Sequence, residues 1–125
     1  MAELLGIELV EAGGGKCTMK LEAGEQHSNP MGTIHGGIIC DLADAAMGMS
    51  FFSTLDEGES FTTLELKINF LRPFWTGTLQ AHGKVLSRGK TVGLTECRVV
   101  VADERLIAHA TSTVMVLRGD LAEGR

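Results

Sequence analysis

The residues best suited to chemistry lie in one stretch, residues 29–44, which reads NPMGTIHGGIICDLAD. It holds an asparagine, a histidine, a glycine pair and a carboxylate, namely Asn29, His35, Gly36, Gly37 and Asp44. If a helix begins at Gly36, its first N–H groups are free to bind a negatively charged oxygen. Asp44 then follows two turns later among alanines, where a carboxylate is unfavourable unless it has partners or a function. These residue types suit the polarisation of a carbonyl group.

The segment that must position these residues runs from Gly36 to about Leu55 and predicts one long helix. Its apolar and small residues fill more than half of a helical wheel: Ile38, Ile39, Leu42, Ala43, Ala46, Met47, Met49 and Ser50. A helix with so little polar surface is expected to be buried on most sides. Gly48 inside it predicts the close approach of another backbone.

The rest of the chain predicts strands. Residues 4–11 and 17–22 read as a hairpin around Gly13-Gly14-Gly15, since three glycines favour a turn. Four strands then follow the helix, at residues 62–70, 78–86, 91–102 and 106–117, and we expect them to form an antiparallel meander. In the first, Thr62, Leu64, Leu66, Ile68 and Phe70 are expected to face one way.

One helix against a curled antiparallel sheet is an α+β architecture. We expect a single domain over residues 1–125, with a frayed tail at 118–125. A helix this apolar needs more cover than one sheet supplies, which favours a homodimer whose sheets join edge to edge around two helices.

Composition narrows the class of protein. The chain has 125 residues, 44% hydrophobic and 22% charged, with a net charge of −5, which argues against nucleic acid or an anionic membrane as the main partner. Cys17, Cys40 and Cys97 have neither disulfide nor zinc spacing, so we expect free thiols in a reducing cytoplasm. No signal peptide and no span of about 20 apolar residues is expected.

The motifs resemble those of a known family. The pattern is Asn29-Pro30, then His35-Gly36-Gly37 opening an apolar helix, then Asp44, and it extends through residues 64–73 (LELKINFLRP), 88–91 (RGKT) and 108–111 (AHAT). It resembles the hotdog-fold acyl-CoA thioesterases, in particular the PaaI-like subgroup of phenylacetate degradation. The similarity covers nearly the whole chain.

The resemblance implies a fold and an activity. The fold is a long central helix wrapped by an antiparallel sheet, in homodimers with two sites at the interface and often in homotetramers built as dimers of dimers. The activity is hydrolysis of an aryl- or medium-chain acyl-CoA thioester to a free acid and coenzyme A, with no metal and no cofactor.

The resemblance also implies roles. The Gly36 N–H is the main oxyanion donor, and Asp44 is the general base for water or the direct nucleophile, while Asp41 is out of register. The residue types themselves make His35 a candidate to polarise the carbonyl and Asn29 a candidate to orient the water or the carbonyl. Thr63 assists Asp44, and Thr62 would replace it after a one-residue slip.

Structural roles explain the same residues. The glycines permit tight packing, and Asp44 is a hydrogen-bonded structural carboxylate. His35 caps the helix, Asn29 is a turn residue before proline, and Thr63 is an ordinary strand threonine.

A basic turn is the predicted contact for the nucleotide part of coenzyme A. It consists of Arg88, Gly89 and Lys90, and two cations beside a glycine suit phosphate. The alternative is an ordinary solvated hairpin turn. Arg72 is expected to contribute across the interface, and His82 and His109 are expected to be structural.

Two other functions fit less well. One is a non-catalytic hotdog domain that binds acyl-CoA as a ligand sensor, which the intact Asp44 and His-Gly-Gly motif disfavour. The other is a hotdog enoyl-CoA hydratase, which the asparagine at position 29 disfavours because it cannot act as a base.

Overall fold

The computed structural model describes residues 6–24, 27 and 35–122. Their elements are, in chain order, β1 Ile7–Gly13, β2 Lys16–Ala23, α1 Gly36–Phe52, β3 Glu59–Phe70, β4 Gly77–Arg88, β5 Val92–Val100, β6 Leu106–Arg118 and a 3₁₀ turn at Gly119–Leu121. Within this part of the chain, the six strands form one antiparallel sheet. The predicted α+β class, the hairpin and the long helix are confirmed.

The predicted four-strand meander is wrong in its first member. The strand order is β1-β2-β4-β5-β6-β3, so β3 lies beyond β6 and β4 pairs instead with β2 and β5. Only β4, β5 and β6 form a meander, since tight turns join them. The connection from β3 to β4 contains Pro73 and carries the chain across to the other half of the sheet.

A β-bulge changes which side chains of β3 face the helix. The pairing of β3 with β6 shifts between Thr63 and Glu65. Leu66 and Ile68 pack against the core as predicted, but Leu64 is 54% exposed. An extra residue in one strand reverses the alternation of faces, so the sequence period alone misplaces the residues before it.

The helix lies close against the sheet because the sheet supplies glycines. A Cβ at Gly83 of β4 would lie 2.6 Å from the Ala46 carbonyl oxygen of α1, and one at Gly93 of β5 would overlap the Phe51 ring. At Gly48 the nearest atom would be Phe61 Cζ at 3.8 Å. Within one chain, the close approach of another backbone to α1 is therefore made at Gly83, and none of the described residues brings a backbone atom close to Gly48.

One stripe of α1 is not covered by the sheet. It contains Gly37, Asp41, Asp44, Gly48 and Phe52, spaced three or four residues apart, and Phe52 is 59% exposed. The opposite face, including Leu42, Ala46 and Phe51, is fully buried. The helix is thus covered on most sides, as predicted, and this one stripe is left uncovered within a single chain.

The three cysteines are free thiols, as predicted. Cys17 and Cys97 are buried in the core, and Cys40 is partly buried on α1. Across the described ranges, no helix combines the length and the apolar character needed to cross a membrane.

Candidate active site

The start of α1 is capped by His35. This residue has an extended backbone, with φ −62° and ψ 131°, and its Nδ1 accepts a hydrogen bond from the Gly37 N–H at 3.0 Å. An accepting Nδ1 carries no proton, so a neutral His35 has its proton on Nε2. The ring therefore caps the helix through one nitrogen and keeps the other as a donor, which makes the two expected roles of His35 compatible.

Gly36 is the first residue of the helix. Within the part of the chain that the structure describes, its N–H has no hydrogen-bond acceptor, whereas the next N–H is held by His35. A Cβ at Gly36 would lie 3.2 Å from Phe70 Cζ. Free N–H groups at a helix N-terminus are well suited to a negatively charged oxygen.

A cavity of about 280 Å³ opens beside Gly36. Ile39, Phe70, Arg72 and Phe74 are among the residues that line it. Sequence reasoning missed Phe70 as a site residue, because its place in an alternating strand marks it only as a core position. Arg72, predicted to act across the interface, lines the same cavity as Gly36 of its own chain.

Asp44 lies eight residues after Gly36 and is exposed on the uncovered stripe. Partial desolvation raises the pKa of its carboxyl above the ordinary value, and the negative charge of Asp41 raises it further. In the described ranges the carboxylate has no hydrogen-bond or ion-pair partner. A single chain therefore offers nothing to support a purely structural role for Asp44.

The structure does not bring Gly36 and Asp44 together within one chain. Eight residues of α-helix separate their Cα atoms by about 12 Å along the axis. An oxyanion donor must lie about 3 Å from the oxygen, and an attacking atom about 3–3.5 Å from the carbon. Asp44 therefore lies too far away to attack a carbonyl carbon whose oxygen is bound by Gly36 of the same chain. A water molecule between Asp44 and that carbonyl would only just span the distance.

Thr63 and Thr62 lie on opposite faces of the sheet. Thr63 pairs with buried Val114, on the face that packs against α1, and Thr62 pairs with Met115 on the outer face. Of the two alternatives, only Thr63 can therefore point toward the helix side. Asn29, the remaining predicted site residue, lies outside the described residues.

The basic turn lies near the C-terminal end of α1. The Arg88 guanidinium binds Glu59 at 2.8 Å and Thr54 Oγ1 at 3.2 Å, and lies 5.2 Å from the Phe51 ring centroid. Since α1 has 17 residues, this turn is about 24 Å from Gly36 of the same chain. Glu59 was not predicted, because residues 56–59 read as a polar end to the helix.

The other groups capable of chemistry lie elsewhere. His82 and His109 are on the outer face of the sheet, where His82 Nδ1 contacts Thr18 Oγ1 at 3.1 Å and His109 Nε2 lies 3.4 Å from Glu96. Burial raises the pKa of the Cys40 thiol, with Asp41 and Asp44 adding to it, which disfavours a reactive thiolate. No metal-binding cluster of three or more His, Cys, Asp or Glu occurs among the described residues.

Residues 31–108, which include His35, Gly36 and Asp44, match the family called Thioesterase superfamily. The chain belongs to this superfamily. The expected thioesterase family and the resemblance to PaaI-like members are thus confirmed. The PaaI protein of Escherichia coli, from its phenylacetic acid degradation operon, superposes with a TM-score of 0.87 at 27% identity, over 94% of this chain and 84% of that one. The hotdog fold is therefore confirmed as well.

Several relatives of this chain have names that state an activity, among them a human and a Listeria protein. Human acyl-coenzyme A thioesterase 13 is 34% identical, over 86% of this chain and 77% of its own length. The 1,4-dihydroxy-2-naphthoyl-CoA hydrolase of Listeria monocytogenes is 28% identical, over 93% of this chain and 94% of its own.

Proposed function

We propose that this thioesterase hydrolyses an aryl- or medium-chain acyl-CoA to a free acid and coenzyme A. The observation that carries the proposal is the helix start, where the Gly36 N–H has no acceptor among the described residues and lies beside a mostly apolar cavity, while His35 keeps a second donor. The names of the human and Listeria relatives support acyl-CoA as the substrate class.

In the proposed reaction the thioester carbonyl oxygen accepts the Gly36 N–H and, in our proposal, the His35 Nε2–H. Water bonds to the carbonyl carbon while its proton passes to Asp44, and the C–S bond then breaks to release the coenzyme A thiolate, which takes up a proton. If Asp44 attacks directly, an acyl-enzyme anhydride forms first and water hydrolyses it afterwards. Thr63 and Asn29 are proposed to orient the carboxylate and the water.

We further propose that each site uses Gly36 of one subunit and Asp44 of its partner. The separation of about 12 Å along one helix disfavours a site within one chain. The uncovered stripe of α1, which carries Asp44 and the exposed Phe52, needs a cover that the chain itself does not supply. Two-fold symmetry would place two such helices antiparallel, with the start of each beside the middle of the other. A homodimer is thus proposed, with a homotetramer as the expected larger assembly in the cytoplasm.

Thiol release from a panel of aromatic and linear acyl-CoAs tests this function. We expect release from at least one of them, and the best substrate identifies the group that the cavity accepts. Absence of release from every member, with binding still measurable by calorimetry, would replace the proposal with the ligand-sensor function.

A further inference from the structure

We propose that Glu59 is a positioning residue that holds the β4–β5 turn so that Lys90 meets the phosphates of the substrate's nucleotide, while Arg88 braces the turn from inside. The inference rests on the proposed function, because it concerns how the same site binds coenzyme A. It changes the expected roles in the basic turn, where Arg88 and Lys90 were both predicted to contact phosphate.

Glu59 is the centre of an ionic cluster with two arginines, Arg88 and Arg118. Its side chain is only 8% exposed, although it stands at the first position of an edge strand. One oxygen accepts hydrogen bonds from the Asp56 N–H at 2.9 Å and from Arg88 Nη2 at 2.8 Å. The other accepts a hydrogen bond from Arg118 Nε at 2.9 Å and lies in an ion pair with Arg118 Nη2 at 2.7 Å. A carboxylate has about four acceptor sites, and three of those of Glu59 accept hydrogen bonds from the described residues.

Arg88 and Arg118 connect Glu59 to the β4–β5 turn through hydrogen bonds to backbone carbonyl groups. Arg88 Nη1 donates to the Gly89 carbonyl oxygen and Arg118 Nη2 donates to the Lys90 carbonyl oxygen. The Gly89 N–H also donates to the Val92 carbonyl at 3.0 Å, which closes the turn. The carbonyl groups of Gly89 and Lys90 therefore each accept a hydrogen bond from an arginine, and both arginines bind the Glu59 carboxylate.

Arg88 is poorly placed to leave this cluster for a ligand. Its guanidinium already binds Glu59, Thr54 and Gly89 and lies over the Phe51 ring. Turning it outward would break the ion pair with Glu59 together with the hydrogen bonds to Thr54 and Gly89, and no described residue would replace them. Lys90 is exposed and makes no ion pair in the described part of the chain, so its ammonium is free for phosphate.

Glu59→Gln tests the proposal, because glutamine keeps the shape and removes the charge that holds both arginines. KM and kcat are measured with an acyl-CoA and with the matching acyl-pantetheine, which has the same thioester arm without the nucleotide. We expect the KM for acyl-CoA to rise roughly tenfold with kcat nearly unchanged, and the acyl-pantetheine constants to stay at wild-type values. The control is Glu65→Gln, an exposed carboxylate of the same strand whose one hydrogen bond from the described residues comes from Thr113 Oγ1 at 2.8 Å.

Lys90→Met provides a second test on an exposed side chain, in case Glu59→Gln does not fold. It should also raise the KM for acyl-CoA alone. An unchanged KM in Lys90→Met, or an equal rise for both substrates in Glu59→Gln, would overturn the inference. Wild-type turnover of acyl-pantetheine keeps these failures distinct from failure of the proposed function, in which neither substrate is hydrolysed.

Discussion

Replacement of Asp44 by Asn is expected to lower the rate of thioester hydrolysis by about 10²–10⁴-fold, the usual contribution of a general base. Asparagine has nearly the same volume but cannot take a proton from water or attack a carbonyl. Steady-state thiol release from the best acyl-CoA measures the loss. A carboxylate without partners in the described chain should leave no structural gap when it is neutralised.

The same substitution is expected to maintain or increase the free energy of unfolding at neutral pH. Desolvation raises the pKa of Asp44 in the folded state, so between its unfolded and folded pKa values the folded protein binds more protons. Stability from this group consequently decreases as pH rises through that window, and at neutral pH the ionised side chain is unfavourable. Thermal unfolding followed by circular dichroism, at a fixed protein concentration, checks this.

Asp41→Asn is the matched control, on the same stripe one turn earlier. It should keep its maximal turnover, while the acidic limb of its kcat/KM profile moves to lower pH, because the charge of Asp41 contributes to the raised pKa of Asp44. A well-folded Asp44→Asn protein with wild-type turnover would refute the role of Asp44. An equal loss in both variants would show that the charge of the stripe matters and not the particular carboxylate.

Replacement of Gly36 by Pro is expected to lower turnover by about 10²–10³-fold, since it removes the proposed oxyanion donor. Proline is tolerated at the first helical position, where the N–H has no intrahelical acceptor. His35 already has the extended backbone, with ψ 131°, that a residue before proline prefers. The helix should therefore form, and circular dichroism verifies that it does.

Gly36→Ala separates the loss of the N–H from the addition of a side chain. Alanine keeps the donor but brings its Cβ to 3.2 Å from Phe70 Cζ, so that the ring must shift by a few tenths of an ångström. We expect a loss of at most about tenfold. Similar rates for the alanine and proline variants would mean that crowding against Phe70, and not the missing donor, limits turnover.

Regular features of the fold could be predicted from sequence because they depend on local periodicity. The alternation in β2 and the apolar run after His35-Gly36-Gly37 each determine one element and its buried face. The strand order could not be predicted, because alternation says which residues face the core but not which strands pair. No glycine in the sequence indicates the bulge after Thr63. The alternation pattern therefore assigned Thr62 and Leu64 to the wrong face of the sheet.

The residues of the candidate site also fall into those that sequence could predict and those that it could not. Gly36, His35 and Asp44 are apparent from their spacing on one helix, which sequence shows directly. Glu59 brings together residues far apart in the chain, since its arginine partners lie 29 and 59 positions away. The proposal that Asp44 comes from a partner subunit rests on the length of the helix and on its uncovered stripe.

Complementation between two inactive variants tests the central claim most directly. Asp44→Asn and Gly36→Pro chains are co-expressed in equal amounts, and thiol release is compared with that of each variant alone and of wild type. Suppose that each site combines Gly36 of one subunit with Asp44 of the other. With random pairing, half of the sites then have an intact Gly36, and half of those also have an intact Asp44. Activity is therefore expected to return to about one quarter of wild type. If both residues act within one subunit, no intact site can form. Activity that stays at the level of the single variants would then contradict the account.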